Sequence, residues 1–470
     1  MLRKLSIDNH RGKMMPSDRS EIKDTYRIIV LFWLMFVSVL IPYPSFAQDR
    51  IIATYTLPDT AIKGFQNAVL PGSVANDRKV LLGSVGSDLW HGPKDPRDEF
   101  WMITDRGPNG QIAVDGKNRR TFWVPEFNPT ILRVKTEGKA IKILDAIPIV
   151  GQSGKPVTGL PNLKDVDEAP YNYSAQELLP FNPNGLDTEG LVRSTAGDFW
   201  ISEEYSPSIV RVDRTGKVIK RYIPEGLNLE GTDYPVAKVL PSIYGKRKIN
   251  RGFEGIALSG DEKTLYMVLQ SPLLNPDRKT GEVSRNTRVL VFDIPSEKVT
   301  AEYVYRFDVS KEFDPNPKNT PDEMKLSGVI SINPTTLLIL ERTDLVAKLY
   351  SVDLSQATNV LGSKWNDAKT APALEALANP ATAEVRVLPK SLVLDLSSLA
   401  GMPEKIEGIA LIDQSTIAVS NDNDFDSEES KYDANGNNVG KGKMSQILSI
   451  SLAKPLPLPQ STVVKLSESR

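Results

Sequence analysis

Apolar positions along this chain gather into short runs, rich in β-branched and aromatic residues, that end in polar or acidic groups and return in a fixed order. Four such runs are Phe199-Trp200-Ile201-Ser202-Glu203-Glu204, Leu265-Tyr266-Met267-Val268-Leu269-Gln270, Leu337-Leu338-Ile339-Leu340-Glu341-Arg342 and Thr416-Ile417-Ala418-Val419-Ser420-Asn421-Asp422. Each follows a glycine-bearing segment: Asp187-Thr188-Glu189-Gly190-Leu191, Gly252-Phe253-Glu254-Gly255-Ile256, Lys325-Leu326-Ser327-Gly328-Val329 and Lys405-Ile406-Glu407-Gly408-Ile409. From glycine to polar end the count is 13, 15, 13 and 13 residues. That is the length of a strand, a tight turn and a second strand. A third strand closes each unit: Ile209–Asp213, Arg288–Asp293, Lys348–Asp353 and Gln446–Ile450.

Units of 65 to 80 residues built from antiparallel strands predict an all-β chain, a β-propeller rather than a helical solenoid. A fifth, degenerate unit spans Leu81 to Val134, with Gly86-Ser87-Asp88-Leu89-Trp90-His91 where a glycine-led inner strand belongs and Phe100–Gly107 as its second strand. Five units are visible and six blades are expected, the sixth hidden in the loops. The strand Ile51–Leu57 and the strand Met444–Leu452 are expected to complete one blade together, which removes an exposed sheet edge. Long connections at Val150–Asn184, Glu225–Asn250, Pro272–Thr287, Lys311–Met324 and Gly362–Leu388 are expected around the channel mouth, with a short helix at Ala371–Ala378.

The first 47 residues change the charge picture and the destination. The whole chain holds 57 basic and 59 acidic residues, and beyond residue 47 the balance is about −5, a poor match to nucleic acid. Ile28 to Ile41 is a nearly unbroken apolar run after Lys23 and Arg27, too short to span a membrane with ease and followed by Ser45 and Ala47. Residues 1–47 therefore read as an export signal, with Met14 or Met15 as an alternative start, and no membrane span remains after cleavage. The domains expected are 48–453 for the propeller and 454–470 for a poorly ordered tail, the product being periplasmic or extracellular. Cysteine is absent, so neither disulfides nor thiolate zinc sites are available. His91 is the one histidine beyond the leader, which excludes an HExxH metalloprotease and leaves a Ser-His-Asp esterase one histidine to draw on.

The segments Asp187–Leu191, Arg251–Ala257, Leu340-Glu341-Arg342 with Lys348-Leu349-Tyr350, and Asn421-Asp422-Asn423-Asp424-Phe425 resemble the phytase-like domain, also called the family with esterase-like activity of phytase. The resemblance covers roughly Leu82 to Leu452. It implies a secreted or periplasmic propeller rich in Glu and Asp, acting on a small-molecule phosphoester. The missing glutamate at Ser327 and the irregular first unit leave a gap in any acidic ring.

In a propeller the inner strands converge on the axis, where glycine admits close backbone approach and a preceding glutamate reaches the channel. Glu189, Glu254 and Glu407, with Asp105 from the first unit, are the expected catalytic carboxylates. Gathered carboxylates repel unless a cation compensates, and Ca²⁺, which takes six to eight oxygens, suits them. Glu189, Glu254, Glu407, Asp422 and Asp424 are its expected ligands. Arg106, Arg342 and Lys348 are the expected phosphate contacts, since guanidinium groups clamp phosphate bidentately. The same glutamates could instead tie neighbouring blades through backbone N–H groups, and the same acid–arginine pairs could be interblade ion pairs. Three functions are open at this point: a cation-dependent phosphoesterase, a metal-dependent lactonase or carboxylic esterase, and a noncatalytic binding propeller.

Overall fold

A computed structural model of the chain describes residues 48–458 apart from 165, 428–431, 434 and 441. Residues 1–47, where an export signal is expected, and the part of the expected tail beyond 458 lie outside the described residues. Within them the chain is nearly all β, and its strands form a ring of four-stranded blades.

Blade 1 runs from the axis outward as Leu89–Trp90, Glu99–Ile103, Thr130–Glu137 and Ala140–Pro148. Blade 2 is Thr188–Arg193, Phe199–Glu203, Ser208–Val212 and Val218–Pro224, with Val236–Leu240 added in parallel at its outer edge. Blade 3 is Phe253–Leu258, Thr264–Leu269, Asn286–Asp293 and Lys298–Arg306. Blade 4 is Lys325–Asn333, Thr336–Arg342, Ala347–Asp353 and Lys390–Asp395. Blade 5 takes Ile406–Asp413, Thr416–Asn421 and Gln446–Ser451 from the end of the chain and Arg50–Thr56 from its beginning. The expected closure by the two ends is thus present, and one parallel pairing, Thr56 with Ala140, fuses blades 5 and 1 into a continuous sheet.

Inner strands touch in the cyclic order of blades 1, 2, 3, 4, 5 and back to 1, so the ring among the described residues closes with five blades rather than six. The loop residues that left room for a sixth blade pair elsewhere. Asn109–Val114, Lys117–Phe122 and Pro170–Asn172 form a small separate sheet. Ala371–Ala378 contains a single 3₁₀ turn, Leu374–Ala376. Residues Lys454 to Leu458 still follow blade 5, where Leu456 is buried and its N–H donates to the Gln414 carbonyl.

Each blade is covered on both faces by its neighbours, which is why its central strands read as continuous apolar runs rather than alternating ones. Five apolar clusters fill the five gaps: Val289, Tyr305 and Ile339 between blades 3 and 4, for example, and Met102, Leu132 and Ala418 between blades 1 and 5. At roughly 25 cal/mol per Å² of apolar surface removed from water, these gaps supply the main stabilisation of a chain without disulfides.

Glycine is required where inner strands meet. A Cβ on Gly255 would lie 2.2 Å from the Ser327 carbonyl oxygen of the next blade, and one on Gly408 would lie 2.6 Å from the Leu89 nitrogen. Blade 1 has Asp88 at this repeat position. Its carboxylate accepts the N–H groups of Leu89 and, on the neighbouring blade 2, Leu191, so a side chain ties the strands where elsewhere backbone packs on backbone.

Candidate functional site

Register shifts interrupt the inner pairing at Ile201/Glu203, Phe253/Ile256, Leu326/Val329 and Ile406/Gly408, beside the residue before each repeat glycine. A bulge re-aims one side chain, and here it releases Glu189, Glu254 and Glu407 from the alternation of the strand toward the axis. The second strands contribute the residue at or just past their last pairing: Asp105, Glu204, Gln270, Arg342 and Asp422. All eight residues line one cavity of about 420 Å³, together with Arg106, Arg251, Lys325, Asp344, Lys405 and Asp424.

Blades 1 and 2 bring carboxylates together. One oxygen each from Asp105, Asp187 and Glu189 lie within 4.8 Å of one another, and so do oxygens of Glu189, Glu204 and Glu254. Burial, then the Glu254 and Asp105 carboxylates, hold Glu189 well above the usual carboxylate range. Burial and Asp187 do the same to Asp105, and burial and Glu254 to Glu204. Asp187 is pushed up by burial to about 7 against the pull of Arg106, whose Nη1 donates to it at 3.0 Å. Among the described residues no ion pair reaches Asp105, Glu189 or Glu204.

Blades 4 and 5 bring cations. Arg342 is buried and donates from Nε to Ser327 Oγ at 2.8 Å, from Nη1 to Asp344 at 3.3 Å, and from Nη2 to Glu407 and, at 3.5 Å, to Glu254. Ser327, where the repeat lacks its glutamate, also donates to Glu254 at 3.1 Å, so hydroxyl and guanidinium together fill the gap. Lys325 pairs with Asp344 at 2.8 Å, and Lys405 pairs with Asp422 at 3.3 Å and with Asp424. Burial, with Arg251 and Arg342 nearby, lowers Lys325 to about 8.

Of the residues expected from sequence, Glu189, Glu254, Glu407, Asp105, Arg106, Arg342, Asp422 and Asp424 all meet at the cavity. Within it they divide. Glu189 and Glu254 join the close oxygen sets, whereas Glu407, Asp422 and Asp424 face Arg342 and Lys405. Lys348 is elsewhere: its ammonium donates to the Phe313 carbonyl at 3.2 Å and stands over the Phe313 ring. His91 faces the Glu99 carbonyl on the edge of blade 1. Glu341 serves the interblade packing, accepting from Tyr305, Lys390 and the Asp308 N–H. Sequence reasoning did not assign Asp187, Glu204, Gln270, Arg251, Lys325 or Lys405. The signal available was the repeat itself, since Lys325 and Lys405 open two copies of the motif and Glu204 and Gln270 are equivalent to Asp105.

A family model described as phytase-like, esterase-like activity of phytase, matches residues 87–425. An uncharacterized secreted protein of Arthroderma benhamiae is 28% identical over 279 residues, covering 50% of this chain and 54% of that protein. The chain thus spans about half the length of the curated relative it matches. Among solved structures it is similar to a luciferin-regenerating enzyme, at 10% identity and a TM-score of 0.35 over 80% of this chain and 95% of that one. It is also similar to the PQQ-bound form of aldose sugar dehydrogenase from Streptomyces coelicolor, at 9% identity and a TM-score of 0.31 over 86% of this chain and 98% of that one. The propeller itself rests on the strand pairing.

Proposed function

The chain belongs to the phytase-like family, and on that premise we propose that it is an exported phosphoester hydrolase whose channel-mouth cavity uses a divalent cation, Ca²⁺ by its all-oxygen donors. The observation that carries the reading is the division of one cavity into a side where, among the described residues, Asp105, Glu189 and Glu204 have no ion pair and a side where each carboxylate faces a cation. A cation on the carboxylates and an anionic ester on the cations would sit next to each other. Export is supported by the apolar run after Lys23 and Arg27 and by the description of the relative as secreted. No helix among the described residues is long and apolar enough to cross a membrane.

The donor set fits such an ion: Glu189, Glu204 and Glu254 offer carboxylate oxygens, and Gln270 adds a neutral one whose amide nitrogen is already held by Glu254. When bound, the ion would supply charge stabilisation on phosphate oxygens and a water of lowered pKa. The chain's own groups position the ester. Arg251, whose Nη1 reaches only as far as Ser271 Oγ at 3.1 Å, and Lys325 are the cations with most freedom to turn toward a phosphate. Arg106 and Arg342, the guanidinium groups singled out in the sequence, are engaged by Asp187 and by Glu407 and Glu254, so their part is to hold carboxylates in place. That engagement also supports a second reading, a cation-dependent lactonase or carboxylic esterase that needs no phosphate clamp.

The test is phosphate release from phytate and from an aryl phosphomonoester, with calcium, with chelator, and by Glu204→Gln and Arg251→Met variants. Calcium-dependent release that falls in both variants supports the phosphoesterase. Turnover of lactones or carboxylic esters without phosphate release, indifferent to Arg251→Met, would move the assignment to the second reading.

A further inference from the structure

The close carboxylates fall into two sets, not one: Asp105, Asp187 and Glu189, and Glu189, Glu204 and Glu254. Oxygens bound to one Ca²⁺ at about 2.3 to 2.6 Å cannot be much more than about 5 Å apart. Each set meets that limit within itself, and the five residues do not form a single set that meets it. One residue, Glu189, belongs to both, and a carboxylate has two oxygens to give.

Three further atoms point to missing partners. Asp187 and Glu204 are each 1% exposed, and Asp187 Oδ1 and Glu204 Oε1 have no hydrogen-bond partner. Gln270 is 6% exposed, its nitrogen donates to Glu254, and its Oε1 is likewise without a partner on the cavity wall. Buried polar atoms without partners cost free energy, so orphans at one spot call for a ligand that satisfies oxygen acceptors. That one orphan lies in each carboxylate set, with Gln270 beside the second, argues for two positions rather than one. Charge agrees. With Arg106 on the first set and Arg342 shared by Glu254 and Glu407, one divalent ion leaves the five carboxylates net negative when ionised, and two bring them close to balance.

We propose that the channel mouth binds two divalent cations bridged by Glu189, the first held with Asp105 and Asp187, the second with Glu204, Glu254 and Gln270 Oε1. This deepens the cation-dependent reading of the cavity and rests on it, though not on the identity of the ester.

The test is cation stoichiometry on the purified protein, stripped with chelator and dialysed against calcium. Two equivalents are expected per chain. Asp187→Asn and Glu204→Gln should each lower this to one, Glu189→Gln should abolish tight binding of both, and Asp261→Asn, in the exposed turn between the first two strands of blade 3, should leave two. One equivalent in the unaltered chain, or two that survive both Asp187→Asn and Glu204→Gln, would overturn the proposal. A measurement that needs no variant is electron paramagnetic resonance after loading with Mn²⁺: a spin-coupled pair is expected, and only isolated six-line ions would refute it. Two bound ions without phosphate release would leave this inference standing and remove the phosphoesterase. Phosphate release supported by one ion would do the reverse.

Discussion

On blades 4 and 5 each carboxylate at the channel mouth faces a cation: Glu407 faces Arg342, Asp344 faces Lys325 and Arg342, and Asp422 and Asp424 face Lys405. On blades 1 and 2 the equivalent repeat positions hold Asp105, Glu189 and Glu204, and the ion pairs of the described residues pass them by. Backbone geometry does not separate the two halves, because the same bulge and the same strand end present the side chains in both. What separates them is whether a cation reaches the carboxylate, from the same blade as with Lys325 and Asp344 or from the next as with Arg342 and Glu407. The neighbours Glu203 and Glu204 make the point within one strand end. Glu203 faces into the blade and accepts from Arg221, Ser208 and two backbone N–H groups, a fully paired structural acid. Glu204, one residue on, faces the channel and keeps an oxygen without a partner. A repeat position is thus a place, and its role is set by what converges on it.

The largest effect expected from this contrast is on the paired half. Arg342→Met leaves Glu254 and Glu407 buried beside each other without their shared guanidinium, and breaking such a pair costs about 3 to 5 kcal/mol. Urea unfolding at neutral pH checks it, and a loss below about 1 kcal/mol would mean that Arg342 is not what compensates this half. Next in size is a test of the shared backbone. Gly255→Ala places a Cβ against the Ser327 carbonyl and should cost about 1 to 3 kcal/mol. A neutral result would show that the inner strands are not as close as the comparison of the two halves requires.

How much of this could be read from the residues follows from the same geometry. Blades 2 to 5 were legible because each carries the glycine that close inner strands demand. Blade 1 was legible only as a degenerate unit, because its inner strand shrinks to Leu89–Trp90 and Asp88 replaces the glycine with a hydrogen-bonding side chain. The long loops expected to hide a sixth blade do not form one: Pro170–Asn172 pairs with Lys117–Phe122, and Val236–Leu240 extends blade 2. Glu189 and Glu254 were legible by repetition. Glu204 was not distinguished from Glu203, because the alternation that assigns faces along a strand lapses at its end. That Glu407 would meet Arg342 was beyond reach, since the two are 65 residues apart in sequence and meet only when the ring closes.

A third prediction reverses the sign of the first. Burial and neighbouring carboxylates raise Glu189 in the folded protein above its ordinary 4.5, so the stability tied to its protonated form is fully present below 4.5 and is lost as pH rises through the raised value. Without cations, Glu189→Gln should therefore be more stable than the unaltered protein at pH 7 to 8, with the gap closing as the pH falls toward 4.5. Calcium should invert the order, stabilising the unaltered chain by mass action and not the variant. Thermal unfolding across pH, with and without calcium, reads both. A variant less stable at every pH without calcium would place Glu189 among the structural acids, with Glu203.

The smallest effect belongs to Lys325, and it probes the cation-lined half as a place for an anion. Burial and the nearby guanidinium groups lower its ammonium to about 8, so it is charged near neutrality and loses its proton as pH rises through that value. Sulfate keeps a constant charge over this range, which makes it a suitable probe. Its affinity for the calcium-loaded protein should fall roughly threefold to tenfold between pH 7 and 9, the loss of one charge-assisted contact softened by the cations that remain. Lys325→Arg holds its charge throughout and should move the fall to higher pH, while Lys325→Met should bind weakly and without a pH-dependent step. Isothermal titration at each pH separates these outcomes. Sulfate binding that ignores pH in the unaltered protein would place the anion against Arg251 alone, and would confine Lys325 to its pairing with Asp344 on the compensated side of the mouth.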